Sequence, residues 1–142
     1  MNLDASLANQ SFVPAAGRIV IAAIFLSSGI GKLLAPDVTL SYINASGLPF
    51  ASLGLMLAIA IEVGGGAMLA LGYRTRAVAL LLTLFAVAIA LVFHHLLSDP
   101  AHLLPFLKYF ALAGGLLQVV AFGAGAYSID ALAHRKRGLH AA

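Results

Sequence analysis

Apolar residues gather into four long segments, separated by short stretches that contain proline, glycine and charged residues. Each segment approaches or exceeds the about 20 residues with which an α-helix crosses the hydrocarbon core of a membrane. The pattern therefore predicts an all-α membrane protein, a bundle of four transmembrane helices forming a single domain over residues 1–142. The predicted helices cover residues 14–35, 51–71, 76–97 and 103–124, and a basic tail covers residues 125–142.

Prolines and glycines stand where these helices are expected to end. Pro36 follows the first segment and Gly72 begins a tight turn after the second, which are ordinary positions for residues that stop a helix. The connection over residues 36–50 is the only one long enough to form a cap over one end of the bundle. Residues 1–12 contain no lysine or arginine, so we interpret the first apolar segment as a membrane helix rather than a signal peptide.

Composition agrees with this interpretation and excludes several kinds of site. The chain is 62% hydrophobic and 9% charged, whereas a soluble domain is about 45–50% apolar and about 25% charged. Its net charge is +3, but the basic residues are scattered and form no stripe of the kind that binds nucleic acid. The absence of cysteine excludes disulfides, thiolate metal sites and a dithiol relay within the chain.

The distribution of lysine and arginine among the connections predicts the orientation. Arg74 and Arg76 lie in or beside the second connection, and Arg135, Lys136 and Arg137 lie in the tail. The other two connections contain neither residue type. By the positive-inside rule, both termini of this multi-pass membrane protein are expected in the cytoplasm.

Glu62 lies near the middle of the second apolar segment. A carboxylate at that depth costs roughly 2.5–3.5 kcal/mol on insertion scales, and such residues face a protein interior as ion pairs or working sites. Two roles are open for Glu62, a structural ion pair with Arg18 or a lysine and a functional site that carries a proton. The two roles are compatible, because a functional carboxylate also needs its charge balanced.

Most other polar groups of the predicted helices lie toward the outer end. Lys32 and Lys108 are each about one turn from that end, and His94 and His95 are at it, while Arg18 alone lies in the inner half. The lysines and Arg18 are long enough to reach water from these positions, and the histidines have a plain interfacial alternative. Adjacent histidines point about 100° apart on a helix, so at most one belongs to an interior site.

Helical spacing suggests which faces turn inward. Arg18 and Lys32 are 14 residues apart and share one face of the first helix, and Lys108 shares a face with Gly115 on the fourth. We expect these faces to converge on an interior that contains Glu62. The glycines that follow Glu62 are expected to be helix-packing positions, with room for a ligand headgroup as the alternative.

The polar residues suggest a ligand more clearly than a metal. Two lysines and a histidine above one carboxylate would hold an anionic or carbonyl-bearing ligand, and the carboxylate would exchange protons with a quinone. The ligand-binding residues that this arrangement predicts are Arg18, Lys32, His94 and Lys108, with Glu62 as the proton carrier. A metal site or a haem is poorly supported, because Glu62 is more than a turn deeper than the histidines.

Several short motifs, taken together and in order, resemble the DoxX family of small four-helix bacterial membrane proteins. They cover nearly the whole chain. They are Gly17-Arg18, Gly29-Ile30-Gly31-Lys32-Leu33, Glu62-Val63-Gly64-Gly65-Gly66, Leu71-Gly72-Tyr73-Arg74-Thr75-Arg76, Phe106-Leu107-Lys108, Ala113-Gly114-Gly115-Leu116-Leu117 and Gly123-Ala124-Gly125-Ala126-Tyr127-Ser128-Ile129-Asp130. One departure is Tyr109, where the family usually has asparagine. A phenol can still donate a hydrogen bond to a ligand, so the resemblance adds Tyr109 to the predicted ligand-binding residues.

The resemblance implies a role in membrane redox biology. Similar proteins are small subunits of a thiosulfate:quinone oxidoreductase or are linked to oxidative-stress complexes, and more distant relatives look like assembly factors. The favoured hypothesis is a quinone-linked subunit that receives electrons from a bound cofactor or from a soluble or membrane redox partner. The alternatives are a non-catalytic scaffold whose buried charges are structural, and a small-anion transporter, which would need a homodimer.

Overall fold

The computed structural model describes residues 12–94 and 100–140, and this part of the chain is helical with no strand. The prediction of an all-α fold is therefore confirmed. The helices, numbered in chain order, are α1 (Val13–Leu34), α2 (Pro36–Ala45), α3 (Ala51–Leu71), α4 (Thr75–Phe93), α5 (Pro100–Phe122) and α6 (Ile129–His140).

Four of these helices are long and apolar enough to cross a membrane, as predicted. They are α1, α3, α4 and the part of α5 over Ala101–Phe122. Large apolar side chains such as Leu34, Met56, Leu84 and Phe122 point outward and are exposed. Such an outer surface suits a helix bundle surrounded by lipid, where no aqueous solvent penalises exposed apolar groups.

Some predicted boundaries were wrong. The connection expected after the first helix contains α2, because Pro36 ends the hydrogen bonding of α1 and itself occupies the first turn of a new helix. The fourth transmembrane helix begins at Pro100 rather than at residue 103, so His102 is helical rather than in a loop. The third ends at Phe93, and the predicted continuation over residues 95–97 lies outside the described residues.

The four long helices alternate in direction and give the bundle two distinct ends. The histidine end contains the end of α1, all of α2, the start of α3 and His94. The basic end contains the start of α1, the turn between α3 and α4, and the start of α6. At the basic end, the α6 backbone N–H of Asp130 donates to the Gly72 carbonyl over 3.0 Å.

The interior is built from one face of each long helix. On α1 the buried residues are Arg18, Ala22, Phe25 and Gly29, which confirms the predicted inward face. The centre is closed by Leu69 of α3, Leu82 of α4 and Leu116 of α5, all fully buried. This apolar centre separates the polar groups of the two ends.

Candidate functional site

Glu62 is carried on a wider turn in the middle of α3. Residues Ala60–Gly65 form a π-helical turn between the α-helical halves Ala51–Ile59 and Gly66–Leu71. Turns of this kind are uncommon and are frequent at functional sites. The turn places Glu62 in the interior against α1, where only 4% of the residue is exposed.

Lys32 and Ser28 of α1 neutralise the buried carboxylate. The Lys32 Nζ lies 2.7 Å from Oε2 and 2.9 Å from Oε1 of Glu62, so it bridges both oxygens. Ser28 Oγ donates to Glu62 Oε1 over 3.1 Å and accepts from Lys32 Nζ over 2.8 Å. Glu62 thus has an ion pair and a hydrogen-bonded neighbour, both supplied by one face of α1.

The absence of a side chain at Gly29 allows the two helices to come this close. A Cβ there would lie 2.7 Å from Val63 Cγ2 and 3.0 Å from Glu62 Cβ. Further along α3, Gly65 packs against Leu82. The glycines after Glu62 therefore make helix contacts or face outward, and none lines the two cavities beside Glu62.

A cavity of about 410 Å³ opens beside the ion pair toward the histidine end. Its volume lies in the range of about 300–1,000 Å³ that is usual for small-molecule sites. Lys32 and Glu62 form its polar side, and apolar or aromatic residues from α2, α3, α4 and α5 form the rest. Its lining residues are Lys32, Tyr42, Ile43, Leu48, Gly54, Ala58, Glu62, Phe85, Ile89, Phe93, His94 and Tyr109.

Flat aromatic rings surround the mouth of this cavity. The His94 ring stacks on Tyr109 with centroids 5.6 Å apart, and Tyr42 stacks on Phe93 at 5.3 Å. Burial lowers the pKa of His94, and the charges of His102 and Lys108 lower it further. The neutral imidazole is therefore favoured, and its Nδ1 has no hydrogen-bond partner in the described part of the chain.

Lys108 lies on the other side of Tyr109, away from this cavity. Its Nζ is 5.5 Å from the centroid of the Tyr109 ring, and its residue is exposed. It lines a second cavity, of about 250 Å³, which Glu62 and Tyr109 also line. Glu62 and Tyr109 thus stand between two cavities, with Lys32 on one side and Lys108 on the other.

The inward face predicted for the fourth transmembrane helix was only partly right, because Lys108 lines a cavity with Glu62 but is not buried. The buried residues of α5 include Ala113 and Leu116, whereas Lys108 is exposed and Gly115 is half-buried. The helix is apolar almost all round, so its single lysine was a poor guide to the buried face.

Arg18 belongs to the opposite end of the bundle. It precedes Ser28 by ten residues, or about 15 Å along α1. Its Nη2 donates to the Tyr127 carbonyl over 2.7 Å, and its guanidinium fills the space beside Gly72 that a Cβ would occupy. The predicted polar residues therefore form two groups, and Arg18 does not take part in the one around Glu62.

The described histidines and carboxylates do not assemble into a metal site. Within residues 12–94 and 100–140, no three of His, Asp and Glu come close enough to hold a metal ion. His94 and His102 do approach one another, with ring centroids 5.9 Å apart. His95, which the sequence also singled out, lies outside the described residues.

Sequence reasoning missed three residues of this site. Ser28 precedes Lys32 by one helical turn, and this i, i+4 spacing was a signal that a hydroxyl accompanies the lysine. Tyr42 and Phe93 carried no such signal, because they reach the cavity only through the packing of α2 against the bundle.

Known proteins match the chain over most of its length. The DoxX family profile matches residues 13–95. The chain is similar to the Escherichia coli inner membrane protein YqjF, with 35% identity over 84% of this chain and 90% of the relative. It is also similar to the E. coli inner membrane protein YphA, with 30% identity over 80% of this chain and 84% of the relative. No solved structure matches it significantly. The chain, a multi-pass protein of the bacterial inner membrane, belongs to the DoxX family.

Proposed function

We propose that the chain is a quinone-binding subunit of a redox system in the inner membrane. The single observation that carries this proposal is the cavity of about 410 Å³ with aromatic walls and the Lys32–Glu62 ion pair on one side. A quinone combines a flat ring, two carbonyl oxygens and a long apolar tail. The cavity offers a complementary surface for each of these parts.

The polar side of the cavity would bind the quinone carbonyl. Lys32 still has 22% of its side chain exposed, so a ligand oxygen could approach its ammonium group and replace one of its three bonds to Glu62 and Ser28. The Tyr109 hydroxyl and the His94 imidazole line the same cavity and offer further hydrogen bonds. The flat ring would lie among Tyr42, Phe93 and Tyr109, since aromatic rings favour offset stacking.

Glu62 would exchange protons with the bound quinone. Reduction of a quinone to a quinol takes up two electrons and two protons. Glu62, protonated from water, would pass each proton in turn to a quinone oxygen and return to the carboxylate that pairs with Lys32. A carboxylate within reach of a ligand is suited to general acid–base transfer. The electrons would come from a partner protein or a bound cofactor, because the chain has no cysteine for a dithiol relay.

Native mass spectrometry with lipid extraction tests this proposal. Purified wild type should retain a quinone, and Glu62→Gln should lose it while remaining folded. A quinone that stays with both forms would show that Glu62 is not needed for binding. Wild type that carries no quinone, and binds none when it is added, would contradict the proposal.

A scaffold or assembly factor is the second candidate, and one observation favours it. The Lys32–Ser28–Glu62 group is fully hydrogen-bonded, and it joins α1 to α3 where Gly29 allows close contact. Such an arrangement would lock the bundle without any ligand. The transporter alternative is less well supported, because the buried centre between Glu62 and Arg18 is lined in the described residues by Ala22, Leu69 and Leu82.

A further inference from the structure

The basic end of the bundle contains a cavity of about 730 Å³ that the proposed function does not use. It lies between the start of α4, the end of α5 and the start of α6. No residue that lines it also lines the two cavities beside Glu62. Any ligand of this cavity is therefore independent of a quinone at the other end.

One wall of the cavity is cationic. Arg74, Arg76 and His134 line it, and both arginines are exposed. In the part of the chain that the structure describes, no carboxylate forms a salt bridge with either guanidinium. The Arg76 guanidinium lies beside Gly123, where even a Cβ would only be in ordinary contact with its Nε at 3.4 Å.

The one carboxylate in the lining is already engaged by backbone and hydroxyl donors. Asp130 Oδ1 accepts from the Arg74 N–H over 2.8 Å, and Oδ2 accepts from the Thr75 N–H over 2.9 Å and from Thr75 Oγ1 over 2.7 Å. These bonds hold the carboxylate against the start of α4. They also fix the backbone of Arg74, which has a left-handed φ of 45°.

Another part of the lining is apolar and continues onto the lipid-facing surface. Phe122, Ala77 and Ala124 line the cavity, and Phe122 is 81% exposed. Phe122 is the last residue of one membrane span, and Thr75 is the first residue of another. The cavity therefore lies at the level where phospholipid headgroups meet the hydrocarbon core.

We propose that this cavity binds an anionic phospholipid, with Arg74 and Arg76 on the phosphate and the acyl chain along Phe122. Arginine suits a phosphate because its planar guanidinium donates two parallel hydrogen bonds. The apolar wall gives a reason to bind a whole lipid rather than a free phosphate ion. The position at the end of two membrane spans supplies that lipid directly from the bilayer.

Native mass spectrometry of the full chain in detergent, titrated with palmitoyl-oleoyl phosphatidylglycerol, tests this site. We expect Arg76→Gln to weaken binding of the first lipid by about tenfold, since it removes a charge-assisted contact. Arg135→Gln is the matched control, because it removes the same charge from an exposed residue of α6 that does not line the cavity. Equal affinities in wild type and Arg76→Gln, or equal losses in both variants, would overturn the proposal.

Arg74→Gly provides a second variant that keeps the turn folded. Glycine accepts the left-handed backbone at this position without strain, so the melting temperature should stay the same or rise while lipid affinity falls. Titrations with phosphatidylcholine and with inorganic phosphate distinguish the ligand sources. Tighter binding of phosphatidylglycerol than of either would support the anionic lipid, and equal binding of phosphatidylcholine or of free phosphate would contradict it.

Discussion

Glu62 is stable inside a membrane because its neighbours on α1 supply both a charge and a hydroxyl. Lys32 bridges the two carboxylate oxygens at 2.7 and 2.9 Å, and Ser28 bonds to one of them. Lys32 and Glu62 also line the cavity of about 410 Å³, so the ammonium group that neutralises the carboxylate is also a group that a ligand there would meet. The same geometry is therefore compatible with a structural role for Glu62 and with its proposed functional role.

Removal of the carboxylate alone should destabilise the fold. Glu62→Gln leaves the Lys32 ammonium in the interior without its counter-ion, and the loss of one partner of a buried pair costs about 3–5 kcal/mol. Thermal unfolding in detergent measures this change. The double variant Glu62→Gln/Lys32→Met should recover much of the lost stability, because it removes both charges.

The same double variant separates the two candidate functions. Recovered stability with lost quinone binding is expected for a ligand site. A double variant that regains stability and still binds quinone as wild type does would contradict a role for the pair in binding.

At the scale of elements, α1 and α3 make a close contact where the π-helical turn of α3 packs against Gly29 of α1. The wider turn moves Glu62 toward α1, and Gly29 allows the backbones to approach. A second contact between elements lies at the basic end, where the Asp130 carboxylate of α6 binds the start of α4. Its three accepted bonds tie α6 to the turn between α3 and α4.

The contact between α1 and α3 predicts different results for substitutions of two nearby glycines. In Gly29→Ala the new Cβ would lie 2.7 Å from Val63 Cγ2, so α1 must shift, and this overpacking should cost about 1–3 kcal/mol. Gly31→Ala is the matched control because nothing lies within 4 Å of its Cβ position. Thermal unfolding should show a lower melting temperature for the first variant alone, and equal melting temperatures would argue against a close α1–α3 contact.

The contact between the Asp130 carboxylate and the start of α4 predicts a contribution to stability that depends on pH. Burial raises the pKa of Asp130, but the hydrogen bonds from Thr75 and Arg74 and the charge of His134 outweigh it, so its pKa is lowered overall. A carboxylate with a lowered folded pKa stabilises the fold above its unfolded pKa of about 3.9 and loses this effect as pH falls through the folded value.

Asp130→Asn should therefore lower stability at neutral pH, and this loss should become progressively smaller below about pH 4. Denaturation measured across this pH range tests the expectation. Asp37→Asn is the control, since Asp37 is an exposed acidic residue in the first turn of α2. A cost that does not change with pH would contradict a role for the ionised carboxylate.

At the scale of the whole molecule, an apolar centre separates two polar ends with different chemistry. The histidine end contains the cavity beside Glu62, and the basic end contains Arg18, Arg74 and Arg76. The positive-inside rule predicts that the basic end faces the cytoplasm. The proposed quinone site would then lie in the outer half of the membrane.

Cysteine labelling tests this orientation without background, because the chain has no cysteine of its own. Ala45→Cys places a thiol on the exposed end of α2, and Ala133→Cys places one on the exposed surface of α6. A membrane-impermeant maleimide should label the first variant in spheroplasts and the second only after the membrane is opened. The reverse pattern would show that the basic end faces outward.

Much of the fold followed from the sequence, because apolar length and proline positions determine membrane helices. The inward face of α1 could be predicted from the spacing of Arg18 and Lys32, because two charged residues on one face of a membrane helix indicate the face that turns away from lipid. The buried face of α5 could not be predicted in this way, because a helix that is apolar almost all round has no polar stripe to distinguish its faces.

The site was only partly predictable, because its parts meet through tertiary packing. Glu62 and Lys32 were recognisable from the sequence as charges that need partners, whereas Ser28 was missed although its spacing from Lys32 could have indicated it. The π-helical turn left no periodic signal, and Tyr42 enters the cavity only because α2 packs against α3. The sequence did not indicate that the Arg18 guanidinium donates to the Tyr127 carbonyl of the C-terminal segment and so belongs to a different group from Glu62.

Titration calorimetry with a short-chain ubiquinone tests quinone binding in the cavity most directly. Gly54 lines the cavity, and nothing lies within 4 Å of its Cβ position, so Gly54→Leu should fill the space without disturbing the fold. Gly114→Leu is the matched control, because Gly114 is exposed, has the same open surroundings and lies outside the cavity. We predict that wild type and Gly114→Leu bind the quinone and that Gly54→Leu does not. Equal binding by all three proteins would contradict the proposed site.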